Sequence, residues 1–187
     1  MDRQIVALLL AILGFMGTIL IGALPMWKMT AFIGANIVTA QVIWEGLWMN
    51  CVLQSTGHMQ CKAYDSVLAL PQDLQAARAL ICVSLAVGVA AISLMVIGAK
   101  CTNFYREDHH SKSRVGIVAG VVFIIAGLLC IIVSSWSAYT IIVGFYNSQV
   151  ISARKGEMGA CIYVGWVAGF LQVLGGGIFI SSFTSSC

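Results

Sequence analysis

With 187 residues, 60% of them hydrophobic and only 9% charged, the chain has too little polar surface to cover a globule in water. Part of its solvent must be lipid. A net charge of +3 with no basic run excludes nucleic acid as a partner. The sequence offers no nucleophile elbow, phosphate loop or paired acids, so an enzyme and its cofactors are not expected.

Four apolar stretches, residues 5–25, 79–99, 115–136 and 160–180, contain no Asp, Glu, Lys or Arg. Each has about 20 residues, enough at about 1.5 Å per residue to cross roughly 30 Å of hydrocarbon. The first is too long for a signal core, and Leu24-Pro25-Met26-Trp27 is no small-residue cleavage site, so it reads as a retained helix. Trp27 and Trp136, at the ends of the first and third stretches, suit headgroup-level anchors.

Residues 26–78 form a long polar segment with strand character. Residues 39–51 are rich in Val, Ile and Trp, Ser55-Thr56-Gly57 signals a turn, and residues 59–64 return as a second strand. Cys51 and Cys61 flank that turn. In an oxidising compartment a bridge between them would staple the hairpin by about 3 kcal/mol. After Pro71, residues 72–78 should start the helix that continues into the second span.

The next connection, 100–114, is short and charged, with Lys100, Arg106, Glu107, Asp108, Lys112 and Arg114; His109 and His110 beside the acids read as a solvated turn rather than a metal site. Residues 137–159 separate the third and fourth spans. Pairs of small residues, Gly14 and Gly17, Gly116 and Gly120, Gly165 and Gly169, then residues 175–177, would let helix backbones approach closely. The expectation is a compact bundle without internal charge, which offers an ion no route through the bilayer.

Orientation is balanced by charge. Arg3, Lys100, Arg106, Lys112 and Arg114 fall on one side, and Lys28, Lys62, Arg78, Arg154 and Lys155 on the other, five each. Density favours the short 100–114 loop as cytoplasmic. The cysteine pair, which needs the oxidising side, then places both termini in the cytoplasm.

Trp27, Gly46-Leu47-Trp48, Cys51 and Cys61, followed by Arg78 at the mouth of the second span, resemble the W…GLW…C…C signature of the claudins. The likeness continues through Gln54-Ser55-Thr56-Gly57, residues 68–80, Lys100-Cys101-Thr102-Asn103 and residues 157–159, essentially the whole chain. It implies an all-α, left-handed four-helix membrane bundle carrying a small extracellular antiparallel β-sheet. Four strands would come from the first loop and one from the third, with Trp48 filling an apolar pocket at the bundle mouth. It further implies a plasma-membrane, tight-junction protein. Such a protein adheres to itself and other claudins in cis and trans and forms a paracellular barrier or charge-selective pore.

The same likeness assigns roles to other positions. Lys62 would disfavour cations, with Asp65 partly neutralising it. Val67 would be the knob, and Phe145 and Tyr146 with nearby Met158 the pocket, of strand assembly. The bacterial enterotoxin motif is degenerate at Asn147-Ser148-Gln149-Val150, which predicts weakened toxin binding. Val133 stands where some members carry a kinking proline, which predicts a straighter third helix. Cys101 and Cys187 match possible palmitoylation positions. Residues 185–187 carry no scaffold-binding motif. The rival reading is a claudin-like auxiliary subunit of an ion channel or a myelin-type adhesion tetraspan. Tetraspanins and connexins are disfavoured because residues 137–159 contain no cysteine.

Overall fold

The computed structural model describes residues 2–32, 41–54, 56–66, 70–98, 109–147 and 156–184. Val67, Ser148, Gln149, Val150, Cys101 and Cys187 lie outside them. In chain order the elements are α1 (Asp2–Ala23), β1 (Lys28–Phe32), β2 (Gln41–Glu45), β3 (Met49–Leu53), β4 (Met59–Ala63), α2 (Gln72–Gly98), α3 (His109–Tyr146), β5 (Glu157–Met158) and α4 (Ala160–Thr184). All four helices are long and apolar enough to cross a membrane.

The two prolines of the chain bound helices rather than interrupt them. Helix α1 stops two residues before Pro25, where the ring disfavours helical backbone in the preceding residue. Helix α2 starts immediately after Pro71, whose carbonyl accepts from the Leu74 and Gln75 amides, and Asp73 complements the dipole in its first turn. Helix α3 has no proline and runs 38 residues without a break, through Val133. At 1.5 Å per residue it is about 57 Å long, well beyond a bilayer core of about 30 Å. It outruns the sequence-derived span 115–136 at both ends, because fading hydropathy marks a change of solvent and not the end of a helix.

One compact unit comprises residues 1–19, 80–132 and 165–187, and holds parts of all four helices. Its core packs Phe123, Phe179, Phe183 and Met95 against Ala7, Ala11, Ala91 and Ala119. The alanines and glycines set the spacing. A Cβ on Gly175 would lie 3.0 Å from Ala7 O, and one on Gly176 2.8 Å from Gly120 O, so α4 approaches α1 and α3 backbone to backbone. Gly177, by contrast, faces open space. No charged side chain is buried among the described residues of this unit. Two of the buried polar groups bond across helices: Gln172 Nε2 donates to Thr18 Oγ1 at 2.7 Å, and Ser84 Oγ to Ala126 O at 3.0 Å. Leu9, Leu13, Val118, Ile125 and Leu174 instead point outward, half exposed. Such a surface is unsuited to water and ordinary in lipid.

The second unit comprises residues 20–79 and 133–164. It contains a five-stranded antiparallel sheet in the order β4-β3-β2-β1-β5. As the resemblance implies, four strands come from the first loop and one from the third. The hairpin between β3 and β4 turns at Gly57, whose φ of 81° suits glycine, with the Gln54 amide donating to His58 O. Cys51 and Cys61 sit directly opposite each other in the register and form the disulfide.

Candidate functional site

Within the sheet-bearing unit the signature residues make one connected assembly. The Trp27 amide donates to Glu45 O at 3.0 Å and its indole Nε1 to Ile21 O at 2.7 Å, leaving the ring 4% exposed. Gly46 follows β2 and comes so close to Pro25 that a Cβ would overlap the proline backbone. Its amide donates to Met49 O, closing the turn into β3. Leu47 is then driven inward, 1% exposed, and its carbonyl accepts from Arg78 Nε.

Arg78 is buried, and its guanidinium stands 5.1 Å from the Trp48 ring centroid and 5.3 Å from that of Tyr64. Tyr64 completes the cluster by donating its hydroxyl to Gly46 O at 3.2 Å. Burial, reinforced by the Glu45 carboxylate, pushes the Tyr64 phenol above its ordinary pKa against the opposing pull of Arg78, so it stays a donor at neutral pH.

This geometry corrects one expectation. Trp48 does not fill an apolar pocket: it is 44% exposed, and Leu47 occupies the interior instead. In a tight turn adjacent side chains diverge, and the larger ring goes where a guanidinium can lie against its face. Tyr64 was expected only to end a strand; nothing local announces a hydroxyl bonded to a carbonyl 18 residues earlier.

The family profile described as PMP-22/EMP/MP20/Claudin matches residues 1–179. The chain belongs to that family. It is 58% identical to Claudin-4 of Homo sapiens over 178 residues, covering 95% of this chain and 85% of that relative. It is 56% identical to Claudin-3 of Homo sapiens over 182 residues, 97% of this chain and 82% of the relative. Claudin-like protein ZF-A89 of Danio rerio is 56% identical over 175 residues, 94% of this chain and 84% of the relative. This claudin-family chain is accordingly a structural membrane protein and not an enzyme.

The claudin-family chain has two further surfaces, one on a face of the sheet and one at the end of α3. Lys62 on β4, Asn50 on β3, Glu45 on β2 and Lys28 on β1 are successive register partners, so they share one face of the sheet. The Lys28 ammonium lies 3.4 Å from the Glu45 carboxylate, and that of Lys62 2.6 Å from Asp65. The structure thus brings Lys62 and Asp65 together as an ion pair, with side chains 73% and 78% exposed.

The second surface is a cavity of about 330 Å³ lined by Ile141, Phe145, Tyr146, Glu157, Met158 and Tyr163 among others. It gathers three residues expected in strand assembly, Phe145, Tyr146 and Met158. The Phe145 and Tyr146 rings meet edge to face at 5.6 Å, and Tyr146 is 80% exposed. The Asn147 amide still donates to Val143 O as α3 ends. Among the described residues no three His, Cys, Asp or Glu side chains gather as a metal site would require.

Arg78→Lys keeps the charge yet loses the planar stack and the Nε bond to Leu47 O. It should cost about 2 kcal/mol, read as a melting temperature lower by roughly 6 °C in detergent micelles.

Proposed function

We propose that this protein is a tight-junction strand protein that polymerises in the membrane and lines or seals the gap between cells. In this reading both termini are cytoplasmic and the disulfide-bridged sheet faces outside. Its partners are copies of itself and other claudins, in cis and in trans, and membrane lipid.

The observation that carries the reading is the exposed Phe145–Tyr146 pair beside Met158, on a helix that outlasts the bilayer core. An aromatic pair and a groove of this size have little reason to face water in a monomer. They suit a contact in which one surface of a copy meets a different surface of the next, which extends into an open row. Val67 of a neighbouring copy is the proposed knob. Tyr146→Ala removes the more exposed ring and should leave freeze-fracture strands short and sparse in fibroblasts that lack junctions. Strands of ordinary length would sink the proposal.

Permeation in this reading runs beside the helices, along the face that carries Lys62. Lys62 disfavours cations there, and Asp65 weakens that preference. The altered Asn147-Ser148-Gln149-Val150 segment is proposed to bind the bacterial enterotoxin weakly.

A further inference from the structure

The sheet-bearing unit contains a larger cavity, about 410 Å³, lined by residues of β1 and β2 and the adjoining parts of α2 and α3. Its apolar lining includes Leu47, Leu74, Ala77 and Ile141. The lining also includes Trp27, Tyr64 and Trp136 and the charged residues Lys28, Glu45 and Asp73. The signature assembly borders this space but leaves it open.

Three observations define what it can hold. The first is depth. Trp27 follows the end of the first apolar run, Asp73 and Ala77 precede the second, and Trp136 closes the third, so the cavity lies at the level of lipid headgroups. The second is charge. The lining carries one ammonium and two carboxylates; Lys28 is held by Glu45 at 3.4 Å, and Asp73 has no ion pair among the described residues. With the Arg78 guanidinium 5.3 Å from the Tyr64 ring, two cations and two carboxylates surround the space, so a zwitterion is favoured over a bare phosphate or a bare cation. The third is the aromatic lining, with Trp136 54% exposed and Tyr64 kept neutral. A weakly hydrated quaternary ammonium is attracted both to aromatic faces and to carboxylates.

We propose that this cavity binds the trimethylammonium headgroup of an outer-leaflet phosphocholine lipid, between Trp136 and the Glu45 and Asp73 carboxylates. The zwitterion suits the site as a whole: its cation meets the acids, its phosphate lies toward Lys28, and its chains continue down the lipid-facing side of α3. Asp73 also complements the dipole of α2, so its share of the attraction is moderate.

The test uses the full chain in maltoside micelles, titrated with diheptanoyl phosphatidylcholine. Melting temperature and native mass spectrometry are the readouts. A saturable rise in melting temperature is expected, with one lipid retained, and with diheptanoyl phosphatidylglycerol giving neither. Asp73→Asn and Trp136→Leu should each weaken apparent affinity about fivefold, while Lys62→Gln leaves it unchanged. Both side chains are exposed, so both variants should fold; Asp73→Asn should melt slightly lower without lipid because it loses the dipole contact, and each affinity is read against the variant's own lipid-free baseline. Glu45→Gln provides a third arm should either fail to fold. An equal response to phosphatidylglycerol, parental affinity in folded variants, or stabilisation by a sterol alone would overturn the proposal.

Discussion

Replacing Cys51 and Cys61 together by alanine is expected to release β4 from the sheet while the helices stay folded. Every residue of β4 is exposed, so burial does little to hold this strand. Among the described residues its ladder pairs only with β3, because β4 is the edge of the sheet. The Lys62–Asp65 pair is largely solvated and contributes little. What remains is the bridge, which closes a loop of sequence separation 10 and is worth about 3 kcal/mol in the chain-entropy account. Its loss should raise opening of the β3–β4 hairpin by roughly a hundredfold, since 1.4 kcal/mol is a factor of ten. Amide hydrogen exchange in micelles reads this directly. Exchange at residues 49–53 and 59–63 should accelerate by that factor, and exchange within α1–α4 should not. Unchanged hairpin exchange would show that the ladder alone suffices.

How much of this was legible in the sequence depends on the range over which each feature is decided. The four apolar runs announce themselves because lipid-facing and core residues are both apolar, so the signal survives without knowledge of packing. The start of α2 after Pro71 and the turn at Gly57 are local backbone chemistry, and both were readable. The Lys62–Asp65 pair is only three residues apart, within reach of inspection. The tail of α3 was not readable from hydropathy, because Ser137, Tyr139 and Thr140 dilute it without breaking the helix. The exchange of roles between Leu47 and Trp48 was hidden for a different reason. It depends on Arg78, 31 residues from the carbonyl it bonds, and on Tyr64 closing the other side. The 410 Å³ cavity is likewise assembled from residues scattered between Trp27 and Gly156.

Charge inversion at Lys62 should move ion preference further than any other change on the sheet. The strands are spaced by about 4.8 Å, so along the row of register partners Glu45 is roughly 10 Å from Lys62 and Lys28 about 14 Å. Both distances exceed the Debye length of about 8 Å at physiological ionic strength. Lys28 and Glu45 also neutralise one another. An ion passing Lys62 therefore responds to Lys62 and Asp65 and little else. Each unit charge within about 4 Å contributes about 1 kcal/mol in water, so Lys62→Asp, a change of two units, corresponds to roughly 2 kcal/mol for each ion with opposite sign, about thirtyfold in sodium permeability and about a thousandfold in the sodium-to-chloride permeability ratio. Asp65→Asn should shift the ratio the opposite way by about thirtyfold, about fivefold for each ion, because it removes one negative charge and frees the ammonium it holds at 2.6 Å. Dilution potentials across leaky epithelial monolayers measure both. Lowering the salt to about 0.01 M stretches the screening length to roughly 30 Å and should enlarge the effect of each variant. A ratio indifferent to Lys62→Asp at either salt concentration would remove this face of the sheet from the permeation path.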